Sequence, residues 1–92
     1  MARIGRIAKV KTNFPGADFW LQKKGSARNV GKVRKEFRAQ DVGIKVTSPL
    51  VLPEYLAYLL EYVHRMGGWL TYAYGTLNLK HLRVEDIKRK KL

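Results

Sequence analysis

The sequence predicts an α+β fold, a small, twisted, mainly antiparallel sheet packed on one main helix at about residues 53–66. VGIKVT (42–47) alternates Val42, Ile44 and Val46 with Gly43, Lys45 and Thr47, the two-residue period of a half-buried strand. LPEYLAYLLEYVHRMGG repeats apolar residues at three and four residue intervals, the period of a helix. Short β-prone runs broken by Gly, Pro and Asn fill the rest. A chain of 92 residues cannot build a second core from what the first leaves over, so 1–92 reads as a single domain.

Taken in order, residues 2–12 mix β-branched side chains with Arg and Lys and stop before Asn13, Pro15 and Gly16, which predicts an exposed strand. DFWLQKKG (18–25) predicts a second strand, and NVGKVRKEF a third, with Val33, Lys35 and Phe37 on one face and Lys32, Arg34 and Glu36 on the other. Gly25-Ser26 between them supplies turn chemistry, so the segment reads as a hairpin. In the helix, Pro53 suits the first turn, Glu54 the positive end of the dipole, and Gly67-Gly68 the stop. Leu52, Leu56, Leu59, Leu60, Val63 and Met66 form its expected packing face. WLTYAYG (69–75) is β-prone, a short strand follows at about 77–82, and VEDI can make one helical turn. KRKKL reads as an edge strand or a frayed tail.

Composition narrows the function classes. Without cysteine, and with only His64 and His81 as imidazoles, no zinc or redox site is expected. Neither a signal peptide nor a membrane span is legible, and a cytoplasmic protein is expected. The seven carboxylates are scattered and form no acid/base pair, so an enzyme is not expected, nor any cofactor. His64 near Glu61 reads as a surface ion pair. KGSARNVGKV misses the phosphate-loop pattern, because Lys32 after Gly31 is followed by Val33.

Charge is the positive signal. The chain carries +12, split as +9 over residues 1–38, −1 over 39–79 and +4 over 80–92. Self-repulsion at this density destabilises a lone compact chain, which points to a polyanionic partner. The candidate contacts on the expected hairpin are Lys23, Lys24, Ser26, Arg28, Asn29, Lys32, Arg34 and Lys35. Its cations, hydroxyl and backbone N–H groups would meet phosphate oxygens. Asn29 could read adenine or stabilise the turn. Arg3, Arg6, Thr76, Asn78 and Lys80 are outer candidates. Trp20, Trp69, Tyr72 and Tyr74 could stack bases, although in so small a domain most should serve as core.

DFWLQKKGS, the returning VGK, GIKVT, LPEYLAYLL and GTLNLKHLRVEDI together resemble, in that order, the target recognition domain of the specificity subunits of Type I restriction-modification enzymes. The resemblance covers about residues 18–92. It implies a domain that binds duplex DNA, with Ser26, the basic residues around it, Thr76 and Asn78 as contacts, in a prokaryote, phage or mobile element. The long helices that seat methyltransferase subunits in that family have no counterpart here, so methyltransferase recruitment is not expected.

The expected function is a small basic DNA-binding protein. It would hold duplex DNA with low sequence specificity, coating or organising it or acting as an accessory factor, and would work as a homodimer. The alternatives are a single-stranded DNA or RNA-binding module, or a phage or mobile-element protein that binds a host protein.

Overall fold

The computed structural model describes residues 2–76 and 78–92. The chain begins with a helical turn, α1 (Ile4–Ile7), and a strand, β1 (Ala8–Thr12). A strand throughout 2–12 was expected from β-branching. Ile4 and Ile7, three residues apart, instead lie in a helical turn that buries Ile4. Gly5 lets this turn approach the last helix, α3 (Val84–Arg89): a Cβ at Gly5 would lie 3.1 Å from the Lys88 Cβ. The two ends of the chain are tied together. Ile4 N–H donates to the Lys90 carbonyl at 2.9 Å, Leu92 N–H donates to the Ala2 carbonyl at 3.1 Å, and Arg3 bridges Lys91. The terminal KRKKL is therefore docked.

Next come β2 (Phe19–Leu21), β3 (Lys24–Gly25), β4 (Val33–Arg34) and β5 (Val42–Val46), then α2 (Pro53–Arg65), β6 (Tyr74–Gly75) and β7 (Lys80–His81). A four-stranded antiparallel sheet runs β1-β5-β2-β4. Its core face carries Ala8, Val10, Phe19, Leu21, Val42 and Ile44, which cluster with Leu56, Ala57 and Leu60 of α2. The opposite face is also covered near its middle. A Cβ at Gly43 would lie 2.7 Å from the Phe14 Cβ and 2.8 Å from the Ala17 Cβ, so only glycine admits the 14–17 loop. The indole of buried Trp20 holds that loop by donating to the Phe14 carbonyl at 2.9 Å.

The expected hairpin is only partly realised. Trp20 pairs with Arg34 and Leu21 with Val33, as in a hairpin, but Lys24–Gly25 leaves to join a second, three-stranded antiparallel sheet, β3-β7-β6. Two polar residues carry no hydrophobic period, and their strand partner lies more than half the chain away. The expected helix is present, yet Leu52 and Met66, assigned to its packing face, are exposed. Of the β-prone run 69–75, residues 69–72 form turns and only Tyr74–Gly75 is strand, and Trp69 is buried. In the strand expected over 77–82, Leu77 lies outside the described residues.

Candidate nucleic-acid interface

The second sheet joins two segments that the sequence singles out separately. Lys24 pairs with His81 and His81 with Tyr74; Gly25 pairs with Lys80 and Lys80 with Gly75. Cross-strand partners share a face. One face therefore carries Lys24, His81 and Tyr74, while on the other Lys80 lies between two glycines with no cross-strand side chain over it. Gly75 has φ +114°, and a Cβ there would run into the Leu79 carbonyl oxygen, so the hairpin requires glycine. At the hairpin tip the Thr76 hydroxyl accepts from Leu79 N–H at 3.1 Å, and Asn78 is exposed. Thr76 thus shapes the turn, leaving Asn78 open to a ligand.

Aromatic and basic groups stack on this sheet. The Tyr74 and His81 rings lie 6.0 Å apart at 24°, and the Arg83 guanidinium sits 5.3 Å from the Tyr74 ring centre. Arg83 is held there by the Asp86 carboxylate at 3.0 Å, which raises its already high pKa. Tyr74 is exposed, whereas Trp20 and Trp69 are core. From the sequence, His81 reads as part of a basic surface with its neighbours Lys80 and Arg83, but Arg83 is not among the candidate contacts. The one available signal was the two-residue spacing of His81 and Arg83, which puts both on one face of a strand.

From β3 the chain enters a turn that displays Arg28, Asn29 and Lys32, all exposed. Three contacts fix its shape. The Ser26 carbonyl accepts from the N–H groups of Asn29 and Val30, both at 3.0 Å. Gly31, at φ +85°, lies so close to the buried Trp69 indole that no Cβ fits. His64 Nε2 is 2.8 Å from the Arg28 carbonyl oxygen, so the imidazole clamps the turn to α2 instead of pairing with Glu61. The N–H groups of Asn29, Val30, Gly31 and Lys32 are all engaged within the fold. The side chains of Arg28, Asn29 and Lys32 are what these residues expose.

The remaining candidates divide. Lys23 and Ser26 are half-buried beside β3, and the Lys23 carbonyl accepts from Leu82 N–H at 2.9 Å, tying β3 to the end of β7. Lys35 is exposed beyond β4, in a shallow depression shared with Lys32, Arg34, Glu36 and Arg38. Arg34 is committed to the fold: its Nη2 donates to the Gln22 amide oxygen at 2.6 Å, and its Nε lies 3.5 Å from the buried Asp41 carboxylate. Burial pushes the Asp41 carboxyl above its ordinary value, against the opposing pull of Arg34, Arg38 and the Lys23 backbone N–H. Arg3 flanks α1 and Arg6 lies within it; the main packing partners of that turn are α3 and β1. The structure therefore puts Lys24 and Lys80 on opposite faces of the second sheet, Arg28 on the turn that follows β3, and Arg3 and Arg6 on a separate element.

No helix among the described residues is long and apolar enough to cross a membrane. No family model matches the sequence, and no curated protein matches it. A solved structure described as the Type-I restriction-modification system S subunit from M. genitalium is similar over 96% of this chain, with a TM-score of 0.69 at 15% identity. The chain spans about a third of that subunit, 32% of its length. The likeness shows an α+β fold shared with part of an S subunit, in line with the target-recognition-domain-like fold expected from the sequence.

Proposed function

We propose that this chain is a non-enzymatic protein that binds duplex DNA, chiefly through its phosphates and with low sequence specificity. It works in the cytoplasm as a pair of copies, to coat or organise DNA or as an accessory factor. The observation that carries this reading is the second sheet, which sets Lys24 and Lys80, from distant segments, one on each of its faces, beside the anchored turn bearing Arg28 and Lys32. The net charge of +12 supplies long-range attraction to a polyanion. The fold shared with a restriction-modification S subunit supports DNA as that polyanion. Of the nine candidate cations, Lys23, Lys24, Arg28, Lys32, Lys35 and Lys80 remain for phosphate near the second sheet and β4, because Arg34 is tied to Asp41 and Gln22 and Arg3 and Arg6 belong to the separate α1 region.

The exposed Tyr74, stacked on His81, favours a second reading in which unpaired bases extend that stack. Competition among duplex DNA, single-stranded DNA and RNA of equal length at one salt concentration decides between them. Duplex DNA is expected to compete best. Preference for a single strand or RNA, lost in Tyr74→Ala, would establish the second reading instead.

A further inference from the structure

Helix α2 carries apolar side chains on two sides, with Glu54, Glu61 and Arg65 exposed between them. Leu56, Ala57 and Leu60 face the core, yet Tyr55, Tyr58, Tyr62 and Met66 recur at three and four residue intervals on the outer side, each more than half exposed. A solvated helix face is ordinarily polar, and an unbroken exposed stripe of this kind marks a protein contact. We propose that a second copy of this chain docks here, α2 against α2, antiparallel about a two-fold axis passing near Leu59. This deepens the pairing part of the proposed function and does not depend on its DNA part.

Charge chooses the occupant and the orientation. Two molecules of +12 repel, so self-association must use the least basic surface, and residues 39–79 carry −1. On α2, Glu54 lies in the first turn and Arg65 at the last position, both exposed and neither in an ion pair among the described residues. They stand at nearly equal distances along the helix from Leu59. An antiparallel two-fold therefore sets Glu54 level with Arg65 of the second copy, twice by symmetry, and Tyr58 level with Tyr62. A parallel pairing would set Glu54 against Glu54 and Arg65 against Arg65. DNA is a poor occupant of the stripe itself, which is apolar and has Glu54 and Glu61 along one side; Lys90 and Lys91 border it on the other.

Shape agrees with this arrangement. A groove of about 320 Å³ runs between α2 and the docked C-terminus, lined by Tyr55, Leu59, Tyr62, Val63 and Lys90 to Leu92. The two-fold brings Met66 of the second copy beside Tyr55, at that groove, and an unbranched thioether fills irregular gaps well. Three tyrosines of roughly 150–250 Å² each, half exposed or more, with Met66, offer several hundred Å² per copy. A standard interface needs about 800 Å² per partner, so a weak dimer is expected, with Kd near or above about 1 µM.

The test is sedimentation equilibrium of the full chain, without nucleic acid, from about 1 to about 500 µM, a range that brackets this affinity. The wild type should pass from monomer to dimer. Glu54→Arg and Arg65→Glu should each weaken Kd by about tenfold, because each replaces two attractions with two repulsions. The Glu54→Arg/Arg65→Glu double variant should return to near the wild-type value. Tyr58→Glu with Tyr62→Glu should be monomeric, with its helical circular dichroism unchanged. A monomer throughout the range, an acidic protein taken in preference to a second copy, or a double charge swap that fails to rescue would overturn the proposal. A dimer that binds no DNA would leave this interface standing and remove the proposed function.

Discussion

Gly25 and Lys80 lie opposite one another in an antiparallel pair, although more than half the chain separates them, and Gly75 lies opposite Lys80 on its other side. This triple joins the Gly-Ser segment to the Gly-Thr segment and leaves Lys80 uncovered by any cross-strand neighbour. If the sheet is the binding surface, damage to its geometry should cost affinity without touching a cation. Gly75→Val is the sharpest such change, since the position has φ +114° and its Cβ would meet the Leu79 carbonyl. We expect local strain of about 1–3 kcal/mol and a weaker complex, read by thermal melting and by DNA titration. Full affinity in Gly75→Val would detach the sheet from binding.

Removing the charges should do the reverse, sparing the fold and weakening the complex. Lys24, Arg28 and Lys80 have no ion pair among the described residues. Changing all three to Ala should cut duplex affinity at least about tenfold and make the salt dependence shallower by about three units. The melting temperature should stay within a few degrees of the wild type.

Arg34 and Asp41 make a separate case. Arg34→Ala should destabilise the protein by about 2 kcal/mol, because it leaves a buried carboxylate unpaired and the Gln22 contact unmade. Asp41→Asn should not. Burial raises the Asp41 pKa in the fold, so the folded chain holds this proton more tightly than the unfolded chain does. The contribution is fully present below the unfolded value of 3.8 and is lost as pH rises through the raised folded value. At neutral pH the Asn variant should therefore match or exceed the wild type, with that advantage fading as pH falls toward 3.8. Urea melts across this range check the sign, and Arg34→Ala/Asp41→Asn should recover part of the loss.

Leu60→Ala should cost about 2–5 kcal/mol, since this side chain is fully buried between α2 and the sheet. Leu59→Ala, at a half-buried position, should cost roughly half as much. Equal losses in denaturant melts would mean that α2 is rotated from the orientation described.

The parts legible in the sequence are those with a strong period or an unambiguous breaker. Alternation located β5, and Pro53 with the leucine spacing located α2. Periodicity found the inward side of α2 through Leu56 and Leu60, which are fully buried, but not its limits: Leu52 and Met66, at the ends of the expected face, are exposed while small Ala57 is buried. Gly43 read as an outward position, yet the 14–17 loop buries it, a tertiary contact with no local signal. The charge of the Lys23 to Lys35 segment was plain, as was the turn at Gly25-Ser26. Its division between two sheets was not, since a strand of two polar residues is defined only by its distant partner. Arg34 looked like any other cation in that run, and only the neighbouring positions of Gln22 and buried Asp41 show that it is engaged.

The most direct test of the central claim is the affinity for a short DNA duplex measured across salt concentration. With about six cations meeting phosphates, log affinity should fall against log salt with a slope of roughly −5. A flat response, with affinity unchanged from low to high salt, would contradict phosphate binding by this surface.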